Sequence, residues 1–483
     1  MAVVADRIQM PSFAALRALR ARVDSQVMSQ AAVVLAVVAT GAVAFLSLRR
    51  TGGYGAPDTI WAEDGRQFYQ GSLQLNFFDA LFTPYNGYLH FVPRVLIEIV
   101  RIFPLAWAST VIATMGALVT SSCALLIYRA SAKHLHSPAL RIAVAAPVAL
   151  PYVGQLELAN NFACLHFLLL YVAFWLVIWN PARGSLRILA ACVLFATVGS
   201  DPVAGIFLPL ALLRFYAVRG WRGALPAVGI GVGLAFQAVG IVFRNALHGR
   251  GISPHYDIWW ATDQYFQTVL GQGLYTEQLN ERLGFIMPAG DAHYLAWAAA
   301  GVVLVLAVVR VTRPNWPVVV MGVLHSVLLF DGLAMQGGSD APRYEMPAIC
   351  LLLAAVGGAL TSGEGLRAGV ERESTRGSSS VVWSAVWSRV WSTVWSVLRA
   401  VPGVVALGFV VGCIFGGYTQ PTNVDWRSKG PSFDAQLSQA AAVCADKARS
   451  DVQIAMAPSF ASWTMTVPCD LVRNRDDFFQ LSP

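Results

Sequence analysis

The feature that most constrains this chain is a series of long apolar stretches separated by short polar segments. A helix that crosses the hydrocarbon core of a bilayer needs roughly 20 mostly apolar residues. Stretches that reach or approach this length lie near residues 31–48, 104–128, 140–156, 162–180, 186–200, 202–217, 225–243, 294–311, 316–334, 345–361 and 401–417. Asp201-Pro202 divides one pair into two short pieces. The pattern predicts an all-α polytopic membrane protein with about 11 transmembrane helices.

The composition favours the same class of protein. Hydrophobic residues make up 56% of the 483 residues, charged residues only 13%, and the mean hydropathy is +0.56. Soluble domains carry about 25% charged residues. The pI of about 9.1 does not indicate nucleic acid, because the basic residues are distributed among short loops between the apolar stretches. We therefore interpret these basic residues as topology signals.

The distribution of basic residues predicts the orientation of the chain. If the N-terminus at 1–30 is cytoplasmic, it and the loops on the same side together hold more than half of the 34 Lys and Arg residues. They hold few of the 27 Asp and Glu residues. Cytoplasmic loops carry such an excess of Lys and Arg. The predicted domains are this N-terminus, a transmembrane module at 31–417 and an extracytoplasmic tail at 418–483.

Long loops are predicted mainly on the outer side, where we expect the chemistry to take place. Outer loop 244–293 is rich in aromatic residues and is interpreted as an acceptor-side platform or as an interfacial aromatic belt. The long inner loop, 362–399, contains a repeat with a tryptophan at every fourth position, which favours an interfacial anchor helix. A lipid- or partner-binding role is the alternative for this repeat.

The outer tail predicts a small α+β unit. The segment DAQLSQAAAVCADKA has helical periodicity, and DVQIAMAP alternates as a strand does. Cys444 and Cys469 are the only cysteines of the tail, and an oxidising exterior permits a disulfide between them. Two free thiols are the alternative. Neither a CxxC nor an HExxH pattern occurs, so no structural zinc site is expected.

The first outer loop, at 50–103, has the most informative polar residues. Glu63 and Asp64 are adjacent carboxylates just beyond the first predicted span. A carboxylate near the membrane surface can act as a general base toward a sugar hydroxyl, although acidic loop residues are often merely solvated. The polar and aromatic residues that follow them are Tyr85, Tyr88, His90 and Arg94.

These residues carry a family resemblance. The segment WAEDGRQFY, the segment PYNGYLHFVPR and the tail ending WTMTVPCDL resemble polytopic glycosyltransferases of the GT-C superfamily. The resemblance implies transfer of a sugar from a polyprenyl-phosphate carrier outside the plasma membrane of a bacterium. It also implies an acidic general base in the first outer loop. We expect Asp64 to be this base, with Glu63 as the second candidate.

Polar residues at the predicted outer ends of other helices extend the candidate site. Arg343 is the best candidate to bind the carrier phosphate, because a guanidinium matches phosphate oxygens in a bidentate manner. Arg94, His90 and Arg244 are weaker candidates for the same role. The candidate substrate-binding residues are Tyr85, Tyr88, Glu157, Asn160 and Tyr344. The alternative for each is an interfacial residue or a helix cap.

The predicted activity is therefore an inverting glycosyl transfer in the plasma membrane. The partners are a lipid-linked sugar donor, membrane lipids and an extracytoplasmic glycan, glycolipid or protein acceptor, with no nucleic acid. No obligatory metal or other cofactor is expected, because a lipid monophosphate needs less charge neutralisation than a nucleotide diphosphate. The alternative function is a transporter or flippase of polyprenyl-linked sugars or lipids, although the carboxylate pair is not repeated in the second half of the chain.

Overall fold

The computed structural model is mostly helical and ends in a small two-stranded sheet. It describes residues 13–150, 155–218, 220–244, 257–274, 292–308, 314–335, 342–361, 404, 408 and 426–479. The Trp repeat and the rest of loop 362–399 lie outside the described residues, as do nearly all of the predicted span 401–417 and much of loop 244–293.

Helices account for most of the described chain before the tail. The long and medium helices are α1 (Phe13–Leu48), α4 (Phe91–Val100), α5 (Ala108–Ala130), α6 (Pro138–Ala149), α8 (Leu165–Ile178), α9 (Gly184–Ser200), α10 (Leu208–Ala217), α11 (Trp221–Arg244), α12 (Ile258–Leu274), α13 (Ala292–Val308), α14 (Trp316–Leu333) and α15 (Pro342–Leu360). The short helices between them are α2 (Gln70–Gln74), α3 (Phe77–Leu81) and α7 (Gln155–Leu158).

Five of the described helical segments are long and apolar enough to cross a membrane. They are Gln30–Leu48, Leu105–Lys133, Trp221–Arg244, Trp316–Leu333 and Arg343–Leu360. Other predicted spans are shorter apolar helices, including α6, α8 and α9. The break predicted at Asp201-Pro202 is present, because the Asp201 side chain accepts a hydrogen bond from the Val203 backbone N–H at the start of a 3₁₀ segment. The described helices are thus compatible with a multi-pass membrane protein, and the number of about eleven spans stays a prediction.

The centre of the bundle is α8, in which every residue from Leu165 to Val177 is buried. A helix that is apolar on all sides is expected in such a position. Beside it, α14 and α15 pack closely along their length. A Cβ atom on Gly322 of α14 would lie 2.9 Å from the Leu351 carbonyl oxygen, so glycine permits this approach. The bundle therefore surrounds a helix whose N-terminal end faces the candidate site.

The first outer loop folds back over one end of the bundle. After a 3₁₀ turn at Ala56–Asp58, a π-helical turn runs from Asp64 to Tyr69 and continues into α2. Helix α4, later in the same loop, packs against α9. Leu89, just before α4, exchanges backbone hydrogen bonds with the Gln237 side chain of α11. These contacts fix the loop to the bundle.

The tail forms the α+β unit that its sequence predicts. Helix α16 (Phe433–Cys444) packs on strand β1 (Asp451–Ala455), which pairs antiparallel with β2 (Thr464–Pro468). The short helix α17 (Cys469–Arg473) follows β2. A disulfide joins Cys444 to Cys469, the pair expected from the sequence. The unit docks on the first outer loop through a bridge between Trp61 and Ala457.

Candidate functional site

The Asp64 carboxylate joins the first outer loop to the loop that precedes α8. It accepts hydrogen bonds from the backbone N–H of Phe162, at 3.0 and 3.1 Å, and from that of Ala163 at 2.8 Å. The Asp64 side chain is fully buried, and this burial raises its pKa to about 7, against the opposing effects of the two N–H donors and of Arg427. Asp64 is therefore held in place at both carboxylate oxygens.

The loop that precedes α8 is held in one conformation by its asparagines. Asn160 has a positive φ of 57°, which asparagine adopts more readily than most residues. Its side chain accepts a hydrogen bond from Ser47 Oγ and donates one to the Ser47 carbonyl. Asn161 donates to the Glu157 carbonyl and accepts from the Cys164 backbone N–H. Asn160, predicted to bind substrate, thus contacts α1 and shapes the loop.

The Glu63 carboxylate has different surroundings from that of Asp64. Glu63 is partly exposed, yet its Oε2 atom is buried without a hydrogen-bond partner among the described residues. Burial raises the pKa of Glu63, the Arg343 guanidinium opposes this effect, and the Glu157 carboxylate adds to it. A carboxyl group with a raised pKa and a vacant oxygen can exchange a proton with a bound molecule.

Arg343 and Glu157 form an ion pair beside Glu63. Arg343, in the first turn of α15, contacts the Glu157 carboxylate of α7 through Nη1 and lies 4.9 Å from the centre of the Tyr344 ring. Arg343 is partly exposed, whereas Glu157 is buried. Burial raises the pKa of Tyr85 to about 12, with smaller effects from Glu63, Arg343 and Tyr344. Tyr85 therefore shares an electrostatic environment with Glu63 and the ion pair.

An aromatic group lines the adjacent part of the site. The Tyr88 ring stacks on the His90 ring at a centroid distance of 4.3 Å. The Phe68 ring lies 5.6 Å from the His90 ring and 6.3 Å from the Tyr85 ring. His166 of α8 lies 5.8 Å from His90, edge to face. Phe167, the next residue, packs at 5.1 Å against Tyr344. This group connects the first outer loop to α8 and to the Arg343 end of α15.

Two residues of the site, Arg427 and His166, were not among the predicted ones. The Arg427 guanidinium is buried and donates to the Asn160 carbonyl, to the Ala56 carbonyl at 2.9 Å and to the Thr59 carbonyl at 2.6 Å. No pattern around WRSK distinguishes this arginine from other tail residues. His166 did have a signal, because an ionisable residue in a strongly apolar stretch is costly and often functional.

Two other residues predicted to bind phosphate, Arg94 and Arg244, have partners within the first outer loop. Arg94 is buried beneath the loop, where it donates to the Gln67 carbonyl at 2.7 Å and to the Thr83 carbonyl at 3.3 Å. Burial lowers the pKa of Arg94 to about 10. Arg244 forms an exposed ion pair with Asp79 at 2.7 Å. The structure thus relates Arg94 to the fold of the loop and Arg244 to α3.

The site combines a proton acceptor, a cation and aromatic faces. The predicted residues that the structure brings together are Glu63, Asp64, Tyr85, Tyr88, His90, Glu157, Asn160, Arg343 and Tyr344. Within the part of the chain that the structure describes, no group of three His, Cys, Asp or Glu side chains could hold a metal ion. Such a site can deprotonate a hydroxyl and bind an anion.

No protein-family model matches the chain, and no curated protein matches it significantly.

Proposed function

We propose that this protein is a membrane glycosyltransferase of the GT-C type. It transfers a sugar from a polyprenyl-phosphate donor to an acceptor hydroxyl on the extracytoplasmic side of a bacterial plasma membrane. The observation that carries the proposal is the position of Glu63 beside the Arg343–Glu157 ion pair, at one end of a bundle of apolar helices. A base and a phosphate-binding cation are the two groups that this reaction needs.

Glu63, rather than Asp64, is the proposed base. Both Asp64 oxygens accept backbone hydrogen bonds, so a hydroxyl would have to displace the loop that precedes α8. The Glu63 Oε2 atom has no such partner among the described residues, and the side chain is partly exposed. The order expected from the sequence, with Asp64 first, is therefore reversed in this proposal. Asp64 becomes the residue that positions Glu63.

The reaction is a single displacement with inversion. Glu63 takes the proton of the acceptor hydroxyl while the hydroxyl oxygen attacks the anomeric carbon. The bond between that carbon and the phosphate oxygen breaks, and the polyprenyl phosphate leaves with the electron pair. Arg343 binds the leaving phosphate. Its contact with Glu157 uses Nη1, and a guanidinium has five N–H donors, so it can donate to the phosphate as well. This charge stabilisation grows as the bond breaks.

The test is sugar transfer by purified variants in detergent or proteoliposomes. Removal of the base, in Glu63→Gln, is expected to lower kcat by about 100-fold or more. Arg343→Gln is expected to cause a similar loss, since it removes charge stabilisation of the leaving group. The matched controls are Asp79→Asn and Arg244→Gln, which change an exposed ion pair. Near wild-type rates for Glu63→Gln would refute the base assignment.

Metal independence remains a prediction of this mechanism. Because Arg343 is proposed to neutralise the phosphate, transfer is expected to continue in excess EDTA. Loss of activity in EDTA that Mg²⁺ or Mn²⁺ restores would show that a metal ion takes part.

Transport of a polyprenyl-linked sugar is the second candidate function. It is favoured by Asp331 of α14 and Glu345 of α15, which are buried in helices long enough to span a membrane. One oxygen of each carboxyl group has no partner among the described residues. Ionisable residues inside such helices often mark transport pathways. Movement of the labelled lipid across proteoliposomes without sugar transfer would favour this candidate over the enzyme.

A further inference from the structure

Two buried imidazole nitrogens lie beside the proposed reaction centre without partners. His90 is 2% exposed and His166 is 5% exposed. Within the described residues, His90 Nδ1 and His166 Nε2 are both buried and make no hydrogen bond. Buried side-chain polar atoms are usually satisfied by protein groups, by water or by a ligand. Two such vacancies on neighbouring rings, whose centroids lie 5.8 Å apart, therefore indicate a bound molecule with hydrogen-bonding groups.

The contacts of His166 determine which kind of ligand group can form a hydrogen bond with its Nε2 atom. His166 Nδ1 lies 2.7 Å from the Ala163 carbonyl oxygen. A carbonyl can only accept, so Nδ1 carries the proton and Nε2 of the neutral ring presents a lone pair. Asp201 Oδ2, a second acceptor, lies 3.9 Å from Nε2. A ligand at this position must donate hydrogen bonds, as a hydroxyl does.

The surroundings of the two histidines fit a sugar ring. Burial, with the nearby His166 and Arg94, lowers the pKa of His90 well below its usual range, so His90 is neutral at pH 7. Tyr88 stacks on His90, and Tyr85 lies 5.6 Å from it, which provides aromatic faces for the C–H groups of a sugar. Neutral imidazoles and aromatic rings suit an uncharged polyol better than an anion.

We propose that His90 and His166 bind hydroxyls of the sugar carried by the polyprenyl-phosphate donor. This inference rests on the proposed function, because it places the sugar between the two histidines and Arg343. The connection is direct in the structure: Phe167, next to His166, packs on Tyr344, next to Arg343. The Ala163 residue that binds His166 through its carbonyl also binds Asp64 through its N–H. The histidines thus determine which sugar reaches Glu63.

The experiment compares binding of a bare and a glycosylated carrier to the full-length protein. The probes are undecaprenyl phosphate and the same lipid carrying mannose, glucose, galactose or arabinofuranose. The test variant is His166→Asn, in which the amide N–H can replace Nδ1–H at the Ala163 carbonyl while the acceptor at Nε2 is lost. The matched control is His325→Asn in α14, where a buried histidine also binds a carbonyl, that of Met321, through Nδ1.

The inference predicts a selective loss. His166→Asn and His90→Phe should bind the preferred glycosylated lipid about ten-fold more weakly, as expected for one lost hydrogen bond to a ligand. Their affinity for undecaprenyl phosphate should equal that of the wild type, and His325→Asn should change neither affinity. Unchanged binding of the glycosylated lipid would overturn the inference, because the vacancies would then hold water. A raised KM for the acceptor with unchanged donor binding would also overturn it.

A different result of the same experiment would contradict the proposed function. Arg343→Gln is expected to weaken binding of both lipids, since both carry the phosphate. If Arg343→Gln binds both lipids as the wild type does, the phosphate site is wrong whatever the histidine variants show. If it weakens both while His166→Asn weakens neither, only the sugar-binding inference is wrong.

Discussion

Glu63 and Asp64 are neighbours in the chain, but their carboxylates have different partners. Asp64 accepts hydrogen bonds from the loop that precedes α8, and Glu63 lies beside Arg343 and Glu157. Glu63 is the last residue before the π-helical turn that begins at Asp64. Insertions of this kind in helices are frequent at functional sites. The difference between the two carboxyl groups is testable through the pH dependence of transfer.

The acidic limb of the pH profile should depend on Glu157. A base acts only when ionised, and burial raises the pKa of Glu63, so kcat/KM should fall as the pH drops through a value above 4.5. Glu157→Gln removes a carboxylate that raises this pKa, so the limb should move to lower pH. The profile of purified Glu157→Gln is compared with that of Asp79→Asn. A limb that stays in place, or moves to higher pH, contradicts this assignment.

Arg427 should contribute strongly to stability. Its guanidinium donates to three carbonyls and opposes the charge of Asp64, and all these groups are buried. Removal of one partner of a buried charge cluster costs about 3–5 kcal/mol. Arg427→Gln is therefore expected to lower the free energy of unfolding by about that amount, as measured by thermal or denaturant unfolding. Lys447→Gln, on the exposed tail surface, is the control and should have little effect.

The sequence allowed most of the clustered residues to be predicted, for a physical reason. Glu157 and Arg343 lie at the ends of apolar stretches, where the ends of packed helices meet, and Glu63 lies in the loop that follows the first stretch. Arg427 could not be predicted in this way, because its burial depends on how the tail docks on Thr59 and Asn160. Long-range contacts of this kind leave no periodic signal in the chain.

At the scale of elements, the apolar stretches predicted the positions of the helices better than their lengths. In the stretch at 140–156, α6 ends at Ala149 and α7 begins at Gln155, and residues 151–154 lie outside the described residues. Residues 202–207 form a 3₁₀ segment before α10 begins at Leu208. Asp201 caps the 3₁₀ segment that separates α9 from α10, and it lies 3.9 Å from His166 of the candidate site.

The disulfide should stabilise the tail. It closes a loop with a sequence separation of 25 residues, and a cross-link of this kind restricts the unfolded chain, with a typical stabilisation of about 2–4 kcal/mol. The double variant Cys444→Ser with Cys469→Ser should expose the tail to protease and lower its unfolding temperature. Cys192→Ser, at an exposed free cysteine, is the control. Equal protease resistance in both variants would show that the unit does not depend on the disulfide.

At the scale of the whole molecule, two groups of polar contacts between distant segments lie at opposite ends of α8. Near its first residues, Asp64 of the first outer loop and Arg427 of the tail contact the preceding loop. Near its last residues, Lys133 donates to the Asn180 carbonyl and Arg214 to the Val177 carbonyl. The segments that the charge distribution assigns to the outside thus meet at one end, and segments assigned to the inside meet at the other.

This arrangement gives a topology prediction that does not depend on the reaction. If the site end faces outward, a cysteine placed at exposed Lys447 of the tail should react with a membrane-impermeant maleimide in intact cells. A cysteine at exposed Arg222, in the segment assigned to the inside because of its basic residues, should react only after permeabilisation. Both substitutions are made in a Cys192→Ser background, which removes the exposed native thiol. The reverse labelling pattern would place Glu63 and Arg343 on the cytoplasmic side, where the donor would have to be presented from the inner leaflet.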